Sequence, residues 1–372
     1  ELLTAAVWPG KVHFPDFLNS KARKWFGDKY KIMTDAGIDG FWNDMNEPAI
    51  FYTEETLKKA FEDLDELRAS EMGIQGFFTF KDIAGSIDNS PEDYRRFYHD
   101  YDGMKVCHDR VHNLYSFNMT KEAGEAFARN NPGQEILLFS RASYTGAHRY
   151  GGVWTGDNMS WWSHLLLNIK QMPSLNMTGF LYSGADTGGF GADVTEDLMM
   201  RWVEFSMFTP LFRNHSAWDT RAQELYRFKH IDDFRHIIEL RYALIPYIYD
   251  QFVKAARNDT MYIRPLAFVY RDDKRCRTIE DQLLIGDSIM IAPVYEQNAA
   301  GRYVYLPEDM KMIRFRAYDD YDEELLEAGD HYVPVALNEV LIFIRPGCRL
   351  PLARPAKRVG EIEFENLTYV QG

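Results

Sequence analysis

Short apolar runs that end in polar residues alternate with helical segments along most of this chain. The apolar runs predict strands at 38–44, 135–140, 179–183, 263–270 and 287–294. Helical periodicity predicts helices at 19–37, 121–129, 161–171, 195–208 and 232–253. The third of these helices is expected to break near Pro173. Strands and helices in alternation, with polar residues at the carboxyl end of each strand, are typical of a (β/α) barrel or a doubly wound sheet.

The sequence favours the barrel between these two folds. No GxGxxG motif opens a helix after a strand, so the sequence lacks the motif that would identify a dinucleotide-binding doubly wound sheet. We therefore predict an α/β protein with a (β/α)8 TIM-type barrel. We assign residues 1–300 to this barrel, with an insertion at about 52–112 that begins with a charged helix over 54–71.

The character of the chain changes after about Tyr303. Short alternating or apolar runs separated by Pro, Gly and Asp predict a small antiparallel β domain at 301–372. These runs are Tyr303–Leu306, Met312–Phe315, His331–Val335 and Val340–Ile344.

Composition excludes several classes of partner. A net charge of −14 argues against nucleic acid and against an anionic membrane surface, since both attract basic proteins. No apolar stretch approaches the roughly 20 residues that span a bilayer. The three cysteines, Cys107, Cys276 and Cys348, have no paired spacing, which indicates a reducing compartment and a cytoplasmic location.

Residues 40–48, with the sequence GFWNDMNEP, carry the strongest chemical signal. A short apolar run leads into Asp44 and Glu47, and Pro48 then stops any regular element. We interpret this stretch as a buried strand that releases two carboxylates into a cleft. Asp, Asn and Pro are also ordinary turn residues, so a strand followed by a polar turn is the plain alternative.

Other strand ends supply further polar groups, namely Arg141, Asp186 and His215, and a Gly-rich loop carries Asp157. Two carboxylates that converge in an aromatic cleft suit glycoside hydrolysis, in which one attacks the sugar or activates water and the other protonates the leaving oxygen. The proton donor must be partly desolvated, and nearby tryptophans make this plausible for Asp157.

Each of these residues also has a purely structural interpretation. Trp161 and Trp162 could be packing residues, and Arg141 could form an ion pair with an Asp of a neighbouring strand. A single histidine such as His215 is more often structural than functional. A metal site formed by Asp44, Asp186 and His215 lacks support, because neither an HExxH motif nor a tight His/Asp cluster is present. We therefore predict neither a metal nor a cofactor.

Six segments, in order, resemble glycoside hydrolase family 31, the retaining α-glucosidases. The first is Phe41–Pro48, and the second joins Ser140–Arg141, Arg149–Tyr150 and Trp154–Asn158. The other four are Gly184–Phe190, Arg213–His215, Leu284–Pro293 and Arg345–Leu352. The resemblance extends from Trp8 to about Leu352. It implies a double-displacement α-glucosidase acting on oligosaccharides.

The resemblance also assigns roles to individual residues. Asp44 is implied to be the nucleophile and Asp157 the acid/base, while Glu47 becomes a supporting carboxylate. The remaining predicted residues bind or enclose the terminal sugar: Trp42, Met45, Arg141, Trp154, Asp186, Phe190 and His215.

Two segments depart from the family pattern. Ala147-His148 precedes Arg149 where many members have Gln, and Gln223–Tyr226 replaces a common Glu-Pro-Trp. The chain is also expected to lack the family's N-terminal β domain and earlier barrel strands, and therefore to be a fragment whose barrel does not close. An α-xylosidase, an α-transglucosylase, an α-glucan lyase and a non-catalytic carbohydrate-binding protein stay open as alternatives.

Overall fold

A computed structural model describes residues 3–70 and 73–372, which form two compact units, Glu1–Gly151 and Gly152–Gly372. The strands of the first unit are β1 (Thr4–Val7), β2 (Gly10–His13), β3 (Gly40–Asn43), β4 (Tyr52–Thr53), β5 (Tyr98–Tyr101), β6 (Met104–Cys107) and β7 (Leu137–Ser140). Its helices are α1 (Ser20–Lys29), α2 (Lys31–Thr34), α3 (Glu54–Ala69), α4 (Ile74–Gly85), α5 (Pro91–Arg96) and α6 (His108–Asn130).

Strands β3 and β7 are parallel neighbours, as a barrel requires, and α1 packs on α6 beside them. Gly27 allows this close helix contact, because a Cβ at that position would lie 2.6 Å from Oε1 of Glu122 and 2.9 Å from Cβ of Ala126. Tyr30 and Phe127 fill the adjoining core. Strand β3 is thus fixed against a packed helical layer.

The predicted ends of the first helical region are confirmed. The Asn19 side chain accepts hydrogen bonds from the backbone N–H groups of Lys21 and Ala22, as an N-cap does. Gly37 adopts φ +86°, the left-handed conformation that favours glycine after a helix. The chain between these residues forms two helices, α1 and α2, which meet at Tyr30 rather than forming the single predicted helix.

The segment predicted as an insertion contains regular structure. It holds α3, α4, α5 and the hairpin of β5 with β6, and its last residues begin α6. The predicted helix over 54–71 ends at Ala69, and Glu71 lies outside the described residues. Helix α6 begins at His108, so the predicted helix at 121–129 was too short. The assignment of 52–112 as an insertion stays a prediction.

The second unit contains the remaining elements. Its strands are β8 (Gly152–Trp154), β9 (Ser183–Gly184), β10 (Ile263–Pro265), β11 (Leu283–Ile285), β12 (Ile289–Ile291), β13 (Gly301–Leu306), β14 (Met310–Ala317), β15 (Asp320–Leu326), β16 (Gly329–Pro334), β17 (Val340–Ile344), β18 (Arg349–Leu352) and β19 (Thr368–Gln371). Its helices are α7 (Trp162–Met177), α8 (Glu196–Ser206) and α9 (Ile231–Arg257).

Strands β8 and β9 are parallel and are connected through α7, which forms a second β–α–β unit. The predicted break near Pro173 was wrong, because α7 continues through this residue. A proline in a helix costs roughly 3 kcal/mol, whereas each large apolar side chain that is buried returns about 1.5–3 kcal/mol. Leu165, Ile169 and Met172 of α7 are fully buried, which is enough to hold the helix together.

The later strands form mainly antiparallel sheets. Strands β10, β11, β12, β17, β14 and β15 form one six-stranded sheet in that order, while β13 pairs with β16 and β18 with β19. The four predicted β-domain runs correspond to β13, β14, β16 and β17, although the run at His331–Val335 extends one residue beyond β16. The strand predicted at 263–270 ends at Pro265 and continues as a 3₁₀ turn. The predicted boundary at residue 300 stays a prediction.

Candidate active site

Five predicted site residues belong to the first unit and lie at the carboxyl ends of β3 and β7. Trp42 pairs in register with Phe139, and the two rings stack with centroids 4.7 Å apart. Asp44 follows directly after β3, and Arg141 follows directly after β7. The parallel pairing therefore brings a carboxylate and a guanidinium group to the same edge.

Backbone geometry orients the Asp44 side chain. Met45 has φ +56°, a left-handed conformation that is uncommon for a residue with a side chain. Its N–H donates a 2.8 Å hydrogen bond to Oδ1 of Asp44. The Asp44 side chain keeps 43% of its surface exposed, so a ligand can reach its carboxylate.

Arg141 connects the two carboxylates of the motif. Its Nε and Nη2 donate to Oε1 and Oε2 of Glu47 at 2.8 and 2.9 Å, and its Nη1 lies 3.1 Å from Oδ1 of Asp44. The ion pair with an Asp of a neighbouring strand, which we considered as a structural role for Arg141, is therefore present. A fork-shaped pair of this kind fixes both partners in direction as well as distance.

Asn46 was not predicted as a site residue, but its side chain closes the turn. Its Nδ2 donates to Oγ of Ser140 at 2.8 Å, and its Oδ1 accepts from the N–H of Ala142 at 3.0 Å. Asn46 is buried, so these bonds tie the end of β3 to the end of β7. The sequence signal that could have identified this residue was an asparagine between Met45 and Glu47 in the motif.

Trp8 is a second residue that the sequence reasoning missed. Its indole Nε1 lies 3.2 Å from the sulfur of Met45, and its ring is 65% exposed. Trp8, Phe17 and Tyr115 are among the residues around a cavity of 210 Å³ that also reaches Asp44. The carboxylate thus borders an aromatic pocket.

The other five predicted residues belong to the second unit, where the loop after β8 carries Asp157. The N–H of Thr155 donates to the carbonyl of Gly184 at 3.0 Å. The Asn158 side-chain amide donates to the backbone carbonyl of Asp186 at 3.1 Å, and the backbone carbonyl of Asn158 accepts from the N–H of Phe190 at 2.7 Å. Asp157 is exposed between these two anchored residues, so the partial desolvation expected of it from the nearby tryptophans is not observed in the described structure.

Gly156 occupies a position where a larger residue does not fit. A Cβ there would lie 2.2 Å from Nε1 of Trp154 and 3.1 Å from Oδ2 of Asp186. Trp154 is only 4% exposed, so its ring has little room to move. The loop can therefore follow its path between Trp154 and Asp186 only with glycine at this position.

Asp186 is a fully buried carboxylate with an arginine partner. Arg213 Nε donates to its Oδ1 at 2.8 Å, while its Oδ2 is buried without a hydrogen-bond partner among the described residues. Burial raises the pKa of Asp186, Arg213 and His215 act to lower it, and the nearby charge of Asp157 raises it further. Oδ2 is thus an acceptor whose hydrogen-bonding capacity the protein leaves unused.

Phe190 and His215 lie together in this second group, with ring centroids 5.3 Å apart. Gln223, in the segment that departs from the family pattern, is buried and supports them. Its Nε2 donates to the carbonyl of Gly189 and to Oδ1 of Asn214, both at 3.0 Å. Gln223, although it departs from the family pattern, therefore anchors the loop that carries Phe190 through hydrogen bonds.

Among residues 3–70 and 73–372, no group of three His, Cys, Asp or Glu side chains is placed to hold a metal ion. Within the same ranges, no helix is long and apolar enough to cross a membrane.

Comparison with known proteins gives family matches along most of the chain. A family model described as the glycosyl hydrolases family 31 TIM-barrel domain matches residues 1–251, and one described as the family 31 C-terminal domain matches residues 259–348. Alpha-glucosidase 2 of Bacillus thermoamyloliquefaciens is 33% identical over 365 residues, which are 97% of this chain and 41% of that protein.

Two solved structures support the fold. The family 31 dextranase of Flavobacterium johnsoniae in complex with glucose has a TM-score of 0.76 and 26% identity, over 99% of this chain and 42% of its own. The ER glucosidase II complex, a catalytic subunit with the binding domain of its regulatory subunit, has a TM-score of 0.77 and 25% identity, over 96% of this chain and 35% of its own.

These matches confirm the predicted architecture of a TIM-barrel portion followed by a C-terminal β domain. The chain spans well under half the length of these relatives, at 41% of the Bacillus enzyme. Both family models match in the expected order and cover most of the sequence. The chain belongs to glycoside hydrolase family 31.

Proposed function

We propose that the protein is a retaining glycoside hydrolase that releases terminal, non-reducing α-linked glucose from oligosaccharides. The observation that carries this proposal is the Asp44 carboxylate, which is exposed at the end of β3 and fixed by the Met45 N–H and by Arg141. The names of the relatives, several of which are α-glucosidases, support the choice of sugar and linkage.

In the proposed first step, an oxygen of Asp44 attacks the anomeric carbon while the glycosidic C–O bond breaks. Asp157 gives its proton to the leaving oxygen, and a β-glycosyl ester of Asp44 results. In the second step, Asp157 takes a proton from water, the water oxygen attacks the same carbon, and Asp44 leaves as a carboxylate. Two inversions return the α-anomer. Retention requires the two carboxyls to lie roughly 5–5.5 Å apart in the working enzyme.

The other predicted residues have binding roles in this proposal. Arg141 orients Asp44, and Glu47 orients Arg141 from its opposite side. Oδ2 of Asp186 accepts a hydrogen bond from a sugar hydroxyl, which would satisfy its missing partner. His215 donates to another hydroxyl.

Aromatic side chains complete the proposed sugar site. Trp42, Met45, Trp154 and Phe190 form its walls, and Trp8 extends the wall beside Met45. The substrate is a neutral oligosaccharide, and the net charge of −14 disfavours nucleic acid as a partner.

The test uses the protein as it occurs naturally, incubated with an aryl α-glucoside and an aryl α-xyloside. NMR during the first minutes should show α-glucose as the first product. β-Glucose would contradict retention, and xylose release alone would indicate an α-xylosidase. Glucosyl transfer to an acceptor would indicate a transglucosylase, and an unsaturated sugar a lyase. Binding without turnover would indicate a carbohydrate-binding protein.

We also propose a cytoplasmic location, on the basis of the three scattered cysteines. All three are free thiols in the described structure. Subcellular fractionation with a thiol-alkylating reagent tests this, and recovery of the protein in an oxidising compartment would contradict it.

A further inference from the structure

The second unit has a large groove whose lining includes none of the predicted site residues. Its cavity measures 660 Å³, within the range of about 300–1,000 Å³ that ligand sites occupy. We call it the α8 groove, and its lining includes Trp162, Asp197, Glu296, Asn298, Arg314 and Glu339.

The positive charges in the groove are already paired. Arg314 Nη1 lies 2.9 Å from Oε2 of Glu339 and also donates to the carbonyl of Pro334. The buried Arg201 at the groove wall donates to Glu204 at 3.0 Å and to the carbonyl of Val335 at 3.2 Å. A phosphate or another anion would have to compete with these partners, so the groove is not suited to an anion.

The remaining polar groups are suited to hydroxyl groups. Glu296 and Asn298 are exposed on one turn, and their side chains make no hydrogen bond within the described structure. Asp197 accepts from the Thr195 hydroxyl through one oxygen only. Two carboxylates and an amide offer several acceptors and one donor group, a combination that matches the hydroxyls of a sugar.

Trp162 adds an aromatic surface to this polar set. Its indole packs partly against the core and also lines the groove. Partial burial holds the ring in one orientation, so a sugar ring could rest on it at little entropic cost. The groove thus combines an aromatic side chain with Glu296 and Asn298, which have no side-chain hydrogen bond in the described structure, and with Asp197, which accepts only from Thr195.

We propose that the α8 groove is a non-catalytic binding site for a neutral α-gluco-oligosaccharide. It would hold a second segment of glucan chain or a second substrate molecule. The choice of α-glucan rests on the proposed function, whereas the assignment of a neutral polyhydroxyl ligand rests on the groove alone.

The test measures binding of maltohexaose and isomaltohexaose by calorimetry in an Asp44→Asn background, where hydrolysis is blocked. The parent should show two binding events per chain. Glu296→Ala combined with Asn298→Gly should weaken one event by at least about tenfold and leave the other unchanged. Glycine suits position 298 because Asn298 has φ +59°, and both residues lie on an exposed turn.

The matched control is Glu324→Ala, which removes an exposed carboxylate of β15 outside the groove. It should leave both events unchanged. The proposal would be overturned if the double variant kept both binding events. It would also be overturned if the parent showed a single binding event and the double variant kept it. No binding at all would also overturn it.

Hydrolysis of an aryl α-glucoside by the protein with Asp44 intact is measured in parallel. Absence of hydrolysis would contradict the proposed function, but it would not change what calorimetry shows about the groove. Hydrolysis without a binding event in the groove would contradict only the proposal for the groove.

Discussion

Arg141 and Glu47 form a two-pronged ion pair, with Nε to Oε1 at 2.8 Å and Nη2 to Oε2 at 2.9 Å. The same guanidinium group reaches Asp44 with its Nη1 at 3.1 Å. Glu47 therefore acts on Asp44 through Arg141, which gives the supporting carboxylate a physical role.

Arg141→Lys should lower kcat/KM by about 10²-fold, because a lysine cannot form the fork and still reach Asp44. Glu47→Gln should lower kcat/KM by a similar factor, because Arg141 would no longer be held by a carboxylate. Steady-state kinetics on an aryl α-glucoside measure both variants, and the double variant should lose much less than the product of the two effects. Fully multiplicative losses would show that Glu47 does not act through Arg141.

Gly156→Ala should reduce kcat by at least about tenfold, because the added methyl group would overlap Nε1 of the buried Trp154. The loop with Asp157 would have to move away from Trp154. Gly360→Ala is the matched control, since a Cβ at that position meets nothing within 4 Å. Equal kcat values for the two variants would contradict the importance of this close packing.

Replacing either partner of the Asp186–Arg213 ion pair should lower the free energy of unfolding, but by different amounts. Arg213→Met leaves a fully buried carboxylate unpaired and should cost about 3–5 kcal/mol of unfolding free energy at pH 7. Asp186→Asn leaves Arg213 with 24% of its side chain exposed and should cost less.

The cost of Arg213→Met should also depend on pH. Burial and the Asp157 charge both raise the Asp186 pKa, and Arg213 opposes them. Without Arg213 the pKa rises further, so acidification should protonate the carboxyl and recover part of the lost stability. Urea unfolding at pH 7 and pH 5 measures this, and a cost that stays constant or grows in acid would contradict it.

A chain of three imidazoles, of which His99 and His108 are buried, should make the first unit sensitive to acid. His99 Nδ1 lies 2.8 Å from Oδ1 of Asp16, His99 Nε2 lies 2.9 Å from Nδ1 of His108, and His108 Nε2 lies 3.2 Å from Nδ1 of His112. Burial lowers the pKa of His99, although Asp16 opposes this effect. Burial and the neighbouring His99 and His112 lower the pKa of His108 to about 3.

Both folded pKa values lie below the ordinary histidine value, so the unfolded chain binds protons that the folded chain does not. The stability that these two neutral imidazoles contribute should therefore be fully present above about pH 6.5 and should fall as the pH drops from there toward 3. Hydrogen exchange of α6 amides measures the local opening energy. His108→Gln should make this pH dependence shallower, and the exposed His13→Gln should not. An unchanged slope in His108→Gln would contradict the account.

Much of the fold could be predicted because local patterns agreed with the tertiary structure. Asn19 and Gly37 mark helix ends through their own backbone chemistry, and the apolar runs before Asp44 and Arg141 are strands. Pro173 misled the prediction, since a local penalty was outweighed by burial of the inner face of α7.

The sequence could predict which side chains share an edge of the sheet, but it could not predict their contacts. Strand ends placed Asp44 and Arg141 at one edge, whereas the fork to Glu47 depends on the left-handed turn at Met45. The histidine chain joins Asp16 of one loop to residues of β5 and α6, so no local pattern could reveal it. Trp8 likewise reaches Met45 only through folding.

Chemical rescue of an Asp44→Gly variant tests the central claim most directly. The variant should lose nearly all turnover of an aryl α-glucoside, and added azide should restore it by attacking from the vacated side of the sugar. NMR should then identify β-glucosyl azide as the product. Full activity without azide, or an α-glucosyl azide product, would contradict the assignment of Asp44 as the nucleophile.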